Sequence, residues 1–312
     1  MTDETDADGP YHPPAVGQGT DDDGVLRTLR DLPGALLAAL PVGSGSLGST
    51  LTLAHREYRL AARSRWTLGL TLLFAVVSAV VAVAAGTGTA AERVGAAVVS
   101  LGELSVYLVP LAALTFGYAS VVGPAERGTL DMLFALPVTR SRVVLGVFLG
   151  RAVALGAAIA VGFGVGGALL VRFASGAALV PYATLLFAAL GVGLAALAVS
   201  VLVSTLASEK THALGGVLLL WVWAVFAHDL LALVLVAVLD VPDAVLTALV
   251  LANPVDLFRV VVLASVGTTG GGVSAALATS SLSPVLAATA LLAWVLLPLT
   301  AAMRLAGRAG AR

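Results

Sequence analysis

His228 and Asp229 stand side by side in "WVWAVFAHDLLALVLV", a run otherwise without charge. An imidazole beside a carboxylate could relay a proton, line a transport pathway, or form a buried pair. On insertion scales a charged carboxylate at the bilayer centre costs ~3 kcal/mol, so these side chains must face other helices or a polar path. The residues alone leave pathway and pairing equally open. Glu103, in "SLGELSVYLV", is a further acid in an apolar run. It sits near the end of that run, where solvation favours a structural role over a pathway one.

Other chemistries find no residues to carry them. There is no cysteine, which removes disulfides, thiolate metal sites and cysteine nucleophiles. His12, His55, His212 and His228 are scattered, and the methionines are Met1, Met132 and Met303, so no spacing makes a metal site. Neither H-E-x-x-H nor G-x-S-x-G occurs. A phosphate-binding loop needs G-x-x-x-x-G-K-[ST], and the single lysine, Lys210, follows Glu209. The chain therefore reads as non-catalytic, with no cofactor of its own. A net charge of −1 without any basic block gives no reason to expect nucleic acid as a partner.

The elements that must position these residues follow from composition. Of 312 residues 59% are hydrophobic and 11% charged, with mean hydropathy +1.02. Soluble domains carry roughly 25% charged residues, so the expected environment is a lipid bilayer. Six runs are long enough to cross a ~30 Å hydrocarbon core at 1.5 Å per helical residue. They lie near 66–86, 101–122, 143–171, 181–206, 213–239 and 283–303. The fold class expected is an all-α integral membrane protein with six transmembrane helices. Gly162 and Gly166 form a G-x-x-x-G on the third, read as a helix-packing face.

Orientation follows from the bias of basic residues toward the cytoplasm. With both termini inside, the outer side keeps only Arg93, Arg172 and Arg259, while the other fourteen of the seventeen Lys and Arg lie inside. The expected location is the cell membrane, multi-pass. Residues 1–49 form an acidic tail with interleaved Gly and Pro and no signal-peptide pattern, expected to be disordered and cytoplasmic. Residues 50–312 form the membrane domain.

Just before the first span, "TLTLAHREYRLAARSRW" places Leu53, Glu57, Leu60 and Ser64 at helical spacing, with Arg56, Arg59 and Arg63 on a flanking face. It reads as an amphipathic helix on the inner leaflet that bends into the membrane at Trp66; a merely orienting basic stop is the plainer alternative. In the outer segment 240–282, "ANPVDLFRVVVLASVG" starts with Asn253 as N-cap, Pro254 at the first helical position and Asp256 near the positive dipole end. That helix either lies on the outer surface or forms a re-entrant pair with 244–252. "GTTGGGVS" follows as a linker.

Between the second and third spans, "GPAERGTLDMLFALPVTRSRVVLGVFLGR" (123–151) is the charged interruption. Residues 125–136 read as one amphipathic helix, with Leu130, Leu133, Phe134 and Leu136 apolar and Glu126, Arg127 and Asp131 polar. Pro137 closes it, and Thr139 or Ser141 can cap the next. This stretch resembles the E-x-G-T-L…L-P-V-[ST]-R…G-[KR]-x-x-G signature of permease subunits of type-2 ABC exporters. The matching residues are Glu126, Gly128, Thr129, Leu130, Pro137, Val138, Thr139, Arg140, Gly146 and Gly150. Val147 replaces the usual basic residue. "HREYRLAARSRW" is similar to that family's elbow helix, and "NPVDLFR" to its NosY-like subgroup, which serves nitrous-oxide-reductase maturation.

The resemblance covers roughly 50–303 and implies a permease homodimer, each copy gripped by a separate cytosolic P-loop ATPase that holds ATP and Mg. It implies that Glu126, Gly128, Thr129, Leu130, Leu133, Phe134, Pro137 and Arg140 couple to that ATPase, with "SEKTH" (208–212) as a shorter contact. An extracytoplasmic partner is a further implication. Function is then export or mechanotransmission, with an ion-coupled secondary transporter as the alternative. The latter predicts internal repeats with matched broken helices, and none stands out. An intramembrane hydrolase would need a catalytic constellation that is missing.

Overall fold

The computed structural model describes residues 46–128, 139–172, 174, 176–238, 242–267 and 282–309. The expectations for residues 1–45 of the acidic tail and for the linker after Gly267 lie outside the described residues, while 46–49, expected in the disordered tail, begin a helix. All described regular structure is helical.

Helix α1 (Ser46–Ala62) precedes the first span. The chain breaks at Arg63 and Ser64, where Ser64 Oγ accepts from Trp66 N–H at 3.2 Å and opens α2 (Arg65–Ala84). The hydroxyl of Thr67 donates back to Ala61 O at 2.6 Å and fixes the corner. The second span, α3 (Ala90–Gly117), starts about three turns earlier than its apolar run suggests. Glu92 and Arg93 disguise its start, yet Thr89 and Glu92 form a reciprocal capping box, at 2.8 and 3.3 Å.

A single turn, α4 (Val122–Glu126), follows. Gly123 and Pro124, which open the charged interruption, lie inside this turn, where proline's missing N–H costs nothing. The expected single helix 125–136 is broken instead: α4 stops at Glu126, and Gly128 takes a left-handed φ of 67° that glycine adopts freely. Of the residues expected to couple, Thr129, Leu130, Leu133, Phe134 and Pro137 lie outside the described residues.

The third and fourth spans are α5 (Arg140–Leu170) and α6 (Val180–Leu206). Thr139 is the N-cap of α5 without a side-chain bond, while Ser141 Oγ donates to Met303 O at 2.9 Å. The fifth span is α7 (Lys210–Val222), a π turn (Trp223–Ala227) and α8 (His228–Val238). Two short helices, α9 (Asp243–Leu251) and α10 (Pro254–Val266), meet at 106°, and α11 (Pro284–Ala309) is the sixth span.

Helix α6 is the centre, with α3, α5, α10 and α11 packed around it; Leu185, Ala189, Leu197, Ala198 and Val201 are fully buried there. Lipid offers no hydrophobic drive between spans, so small residues that allow close approach decide the pairing. Gly162 and Gly166 of α5 pack against α2, where a Cβ at Gly166 would meet Ser78 O at 2.8 Å. Ser78 Oγ donates to Gly162 O at 2.8 Å and accepts from Gly166 N–H at 3.2 Å. Gly146 and Gly150, both in the family signature, seat α1 in the same way. A Cβ at Gly150 would stand 2.6 Å from Glu57 Cβ and 2.8 Å from Tyr58 N.

Candidate functional site

The π turn sets the first site. Its extra residue lets His228 N–H bond Trp223 O, five residues back, and turns the following side chains toward α10. π turns inside α-helices recur at functional sites. On α10, Asn253 caps the helix by accepting from Val255 N–H at 3.0 Å, and its amide donates to Ala224 O in the π turn at 2.8 Å. Two turns of sequence, "NPVDLFR", thus supply both the cap and a grip on the neighbouring span.

The grip is completed by charge. Arg259 donates to both oxygens of Asp229 at 2.8 Å each, and to Asp256 Oδ1 at 2.9 Å. His228 Nδ1 stands 3.0 Å from Asp256 Oδ2. Neither atom makes an aligned hydrogen bond, so the two are close neighbours without a directional bond. The side chains of Asp256 and Arg259 are 0% and 6% exposed. A two-pronged guanidinium–carboxylate pair is the strongest neutralisation available to a buried acid, and without it Asp229 would be an uncompensated charge at membrane depth.

Depth comes from α11. Trp294 Nε1 donates to Leu251 O at 3.0 Å, and Trp294 lies ten residues, about 15 Å, into α11 from Pro284. The α9–α10 turn therefore reaches the middle of the bundle and returns. Of the two sequence readings, the re-entrant pair fits the 106° bend between α9 and α10, and Phe258 and Leu257 of α10 are fully buried. Glu103 lies beside Phe258, Arg259 and Val262 around a small void. The three candidate pathway residues, His228, Asp229 and Glu103, are thus gathered around Arg259.

His228, Asp229 and Asp256 could each offer one ligand atom to a cation, all within 4.8 Å of one another, a grouping that spacing along the chain does not reveal. Arg259 already holds three of the four carboxylate oxygens. A cation there would have to displace the guanidinium.

The second site is at the opposite end of the bundle. Glu126, at the end of α4, accepts from Lys210 N–H at 2.6 Å and pairs with Lys210 Nζ at 3.1 Å. It caps α7 from another loop, a task for which Glu209 offers no side-chain bond. Ser204 Oγ, at the end of α6, accepts from Val121 and Val122 N–H at 3.0 and 3.1 Å and starts α4. The loop after α3 and the loop before α7 are joined. Of the other residues expected to couple, Gly128 and Arg140 flank the undescribed segment.

Six apolar spans and a charge-locked helix pair define a multi-pass membrane protein. Residues 51–310 match the family described as "ABC-2 family transporter protein", and the chain belongs to it. It is 35% identical over 238 residues to a "Probable ABC transporter permease protein NosY" of Pseudomonas aeruginosa, covering 71% of this chain and 84% of the relative. A protein of the same name from Stutzerimonas stutzeri is 31% identical over 259 residues, with 78% and 92% covered. The chain is a NosY-like ABC-2 permease, a family that works with a cytosolic ATP-binding subunit.

Sequence reading missed the pairing of Asp229 with Arg259, because it assigned Arg259 to the outer surface. The available signal was an acid and a base three residues apart inside an apolar stretch, where neither should stand without partners.

Proposed function

We propose that this permease, as a homodimer with both termini in the cytoplasm, couples ATP hydrolysis by a separate P-loop ATPase to export or mechanotransmission across the membrane. The observation that carries this reading is the Glu126–Lys210 contact. It ties the loop that carries the family signature to the start of α7. From Lys210 to Asp229 the fifth span runs about 30 Å, and along its second half Asn253, at Ala224, and Arg259, at Asp229, fasten it to the α9–α10 pair. A displacement at the inner loops has a continuous helical route to the outer face, where an extracytoplasmic partner could receive it. In this reading Glu126, Gly128, Thr129, Leu130, Leu133, Phe134, Pro137 and Arg140 couple to the ATPase, as the family resemblance implies. The NosY-like resemblance extends the proposal to nitrous-oxide-reductase maturation.

The test is a detergent pull-down of the chain co-expressed with ATPase subunits of its own genome, with and without Leu133→Asp/Phe134→Asp. One P-loop ATPase should be recovered with the parent chain and lost with the variant, whose insertion and folding stay intact. Recovery of none, or equal recovery with the variant, would overturn the docking role.

A further inference from the structure

A cavity of about 650 Å³ opens beside the inner loops, between α1, the α3–α4 junction and the start of α5. Its described lining carries Arg56, Arg127 and Arg151, with Arg140 engaged in contacts of its own, against one carboxylate, Glu57, which pairs with Arg56 at 3.4 Å. Such a surplus calls for an anion. Two buried polar atoms in this lining, Ser120 Oγ and Arg151 Nε, have no hydrogen-bond partner. Arg151 is otherwise held in place: its guanidinium donates to Phe116 O and lies 5.7 Å from the Phe116 ring centre. An orphaned hydroxyl and guanidinium nitrogen in a cationic cavity are the complement of phosphate oxygens.

The rest of the wall is apolar. Leu60 and Trp66 line the cavity and are each 57% exposed at its rim. Trp66 opens the first span, the depth at which tryptophan sits among lipid headgroups. A soluble anion would gain nothing from this greasy side, whereas a phospholipid would lay its chains along it. Basic pockets between spans at the cytoplasmic side are a known chemistry for anionic headgroups.

The geometry points to a binding site for one anionic phospholipid of the adjacent leaflet. Its phosphate meets Arg56, Arg127 and Arg151, Ser120 donates to a headgroup oxygen, and its acyl chains pass Leu60 and Trp66. The lipid would bridge α1 to the loop that carries Glu126, and so make the inner loops sensitive to leaflet charge. The adjacent leaflet is the cytoplasmic one under the orientation proposed above. The lipid measurement reads headgroup charge rather than sidedness, so its failure is separate from failure of the ATPase pull-down.

The experiment is native mass spectrometry of the full chain in mild detergent, offered equimolar phosphatidylglycerol and phosphatidylcholine. The parent chain should retain one phosphatidylglycerol per copy in preference to phosphatidylcholine. In Arg56→Gln/Arg127→Gln, two exposed positions whose change leaves Arg151 in place, the preference should fall about tenfold or more, as loss of a charge-assisted contact implies. Arg59→Gln/Arg63→Gln, on the same helix and linker but outside this lining, should keep it. Phosphatidylglycerol should also raise the melting temperature of the parent chain and not that of the site variant. Equal retention of both lipids would overturn the assignment. So would an equal loss in both variants, or displacement of the lipid by equimolar inorganic phosphate.

Discussion

Removing Arg259 is the sharpest perturbation the structure offers. Its side chain is 6% exposed and makes three charge-assisted bonds of 2.8–2.9 Å to Asp229 and Asp256. In Arg259→Leu both carboxylates stay buried without their cation. Breaking a buried ion pair from one side costs about 3–5 kcal/mol, most of it the stranded charge rather than the lost attraction. The triple neutral variant Arg259→Leu/Asp229→Asn/Asp256→Asn strands nothing and should recover most of that loss. The assay is thermal unfolding in detergent for all single, double and triple combinations, read as an interaction energy. A large coupling between positions 229 and 259 is expected. A triple variant as unstable as Arg259→Leu alone would refute the reasoning, because the arginine would then contribute by packing and not by neutralising Asp229 and Asp256.

Two further predictions test the seats of α1 and of the hairpin. Gly150→Val puts side-chain atoms where Glu57 Cβ and Tyr58 N already stand. It should cost roughly 1–3 kcal/mol and expose the α1–α5 contact to protease, whereas Gly164→Val, with open space around it, should do neither. Asn253→Ala removes the α10 cap and the bond to Ala224 O; a loss of about 1–2 kcal/mol with faster amide exchange in α10 is expected from hydrogen-exchange mass spectrometry.

Much of the bundle was legible because lipid punishes unpaired backbone, so each span must be a long apolar helix. All six appear near their expected places, and Asn253, Pro254 and Asp256 begin α10 as their types dictate. The failures were local or long-range. The start of α3 hid behind Glu92 and Arg93, although Thr89 and Glu92 spelled a capping box. The break at Gly128 was masked by an amphipathic pattern that runs through it, since periodicity does not register a left-handed glycine. The Asp229–Arg259 pair was invisible to any window, because thirty residues and a chain reversal separate its members. The Glu126–Lys210 contact spans eighty-four residues and escaped for the same reason.

That separation also orders the birth of the protein. Asp229 leaves the ribosome thirty residues ahead of Arg259, an interval of about 1.5–6 s at ordinary elongation rates. Through that interval the fifth span holds a carboxylate whose cation has not been made. Nor does a finished hairpin complete the assembly, for Trp294, which bonds the carbonyl of Leu251, follows thirty-five residues after Arg259. The fifth span, the hairpin and the sixth span therefore cannot all be joined until the last of them has been made.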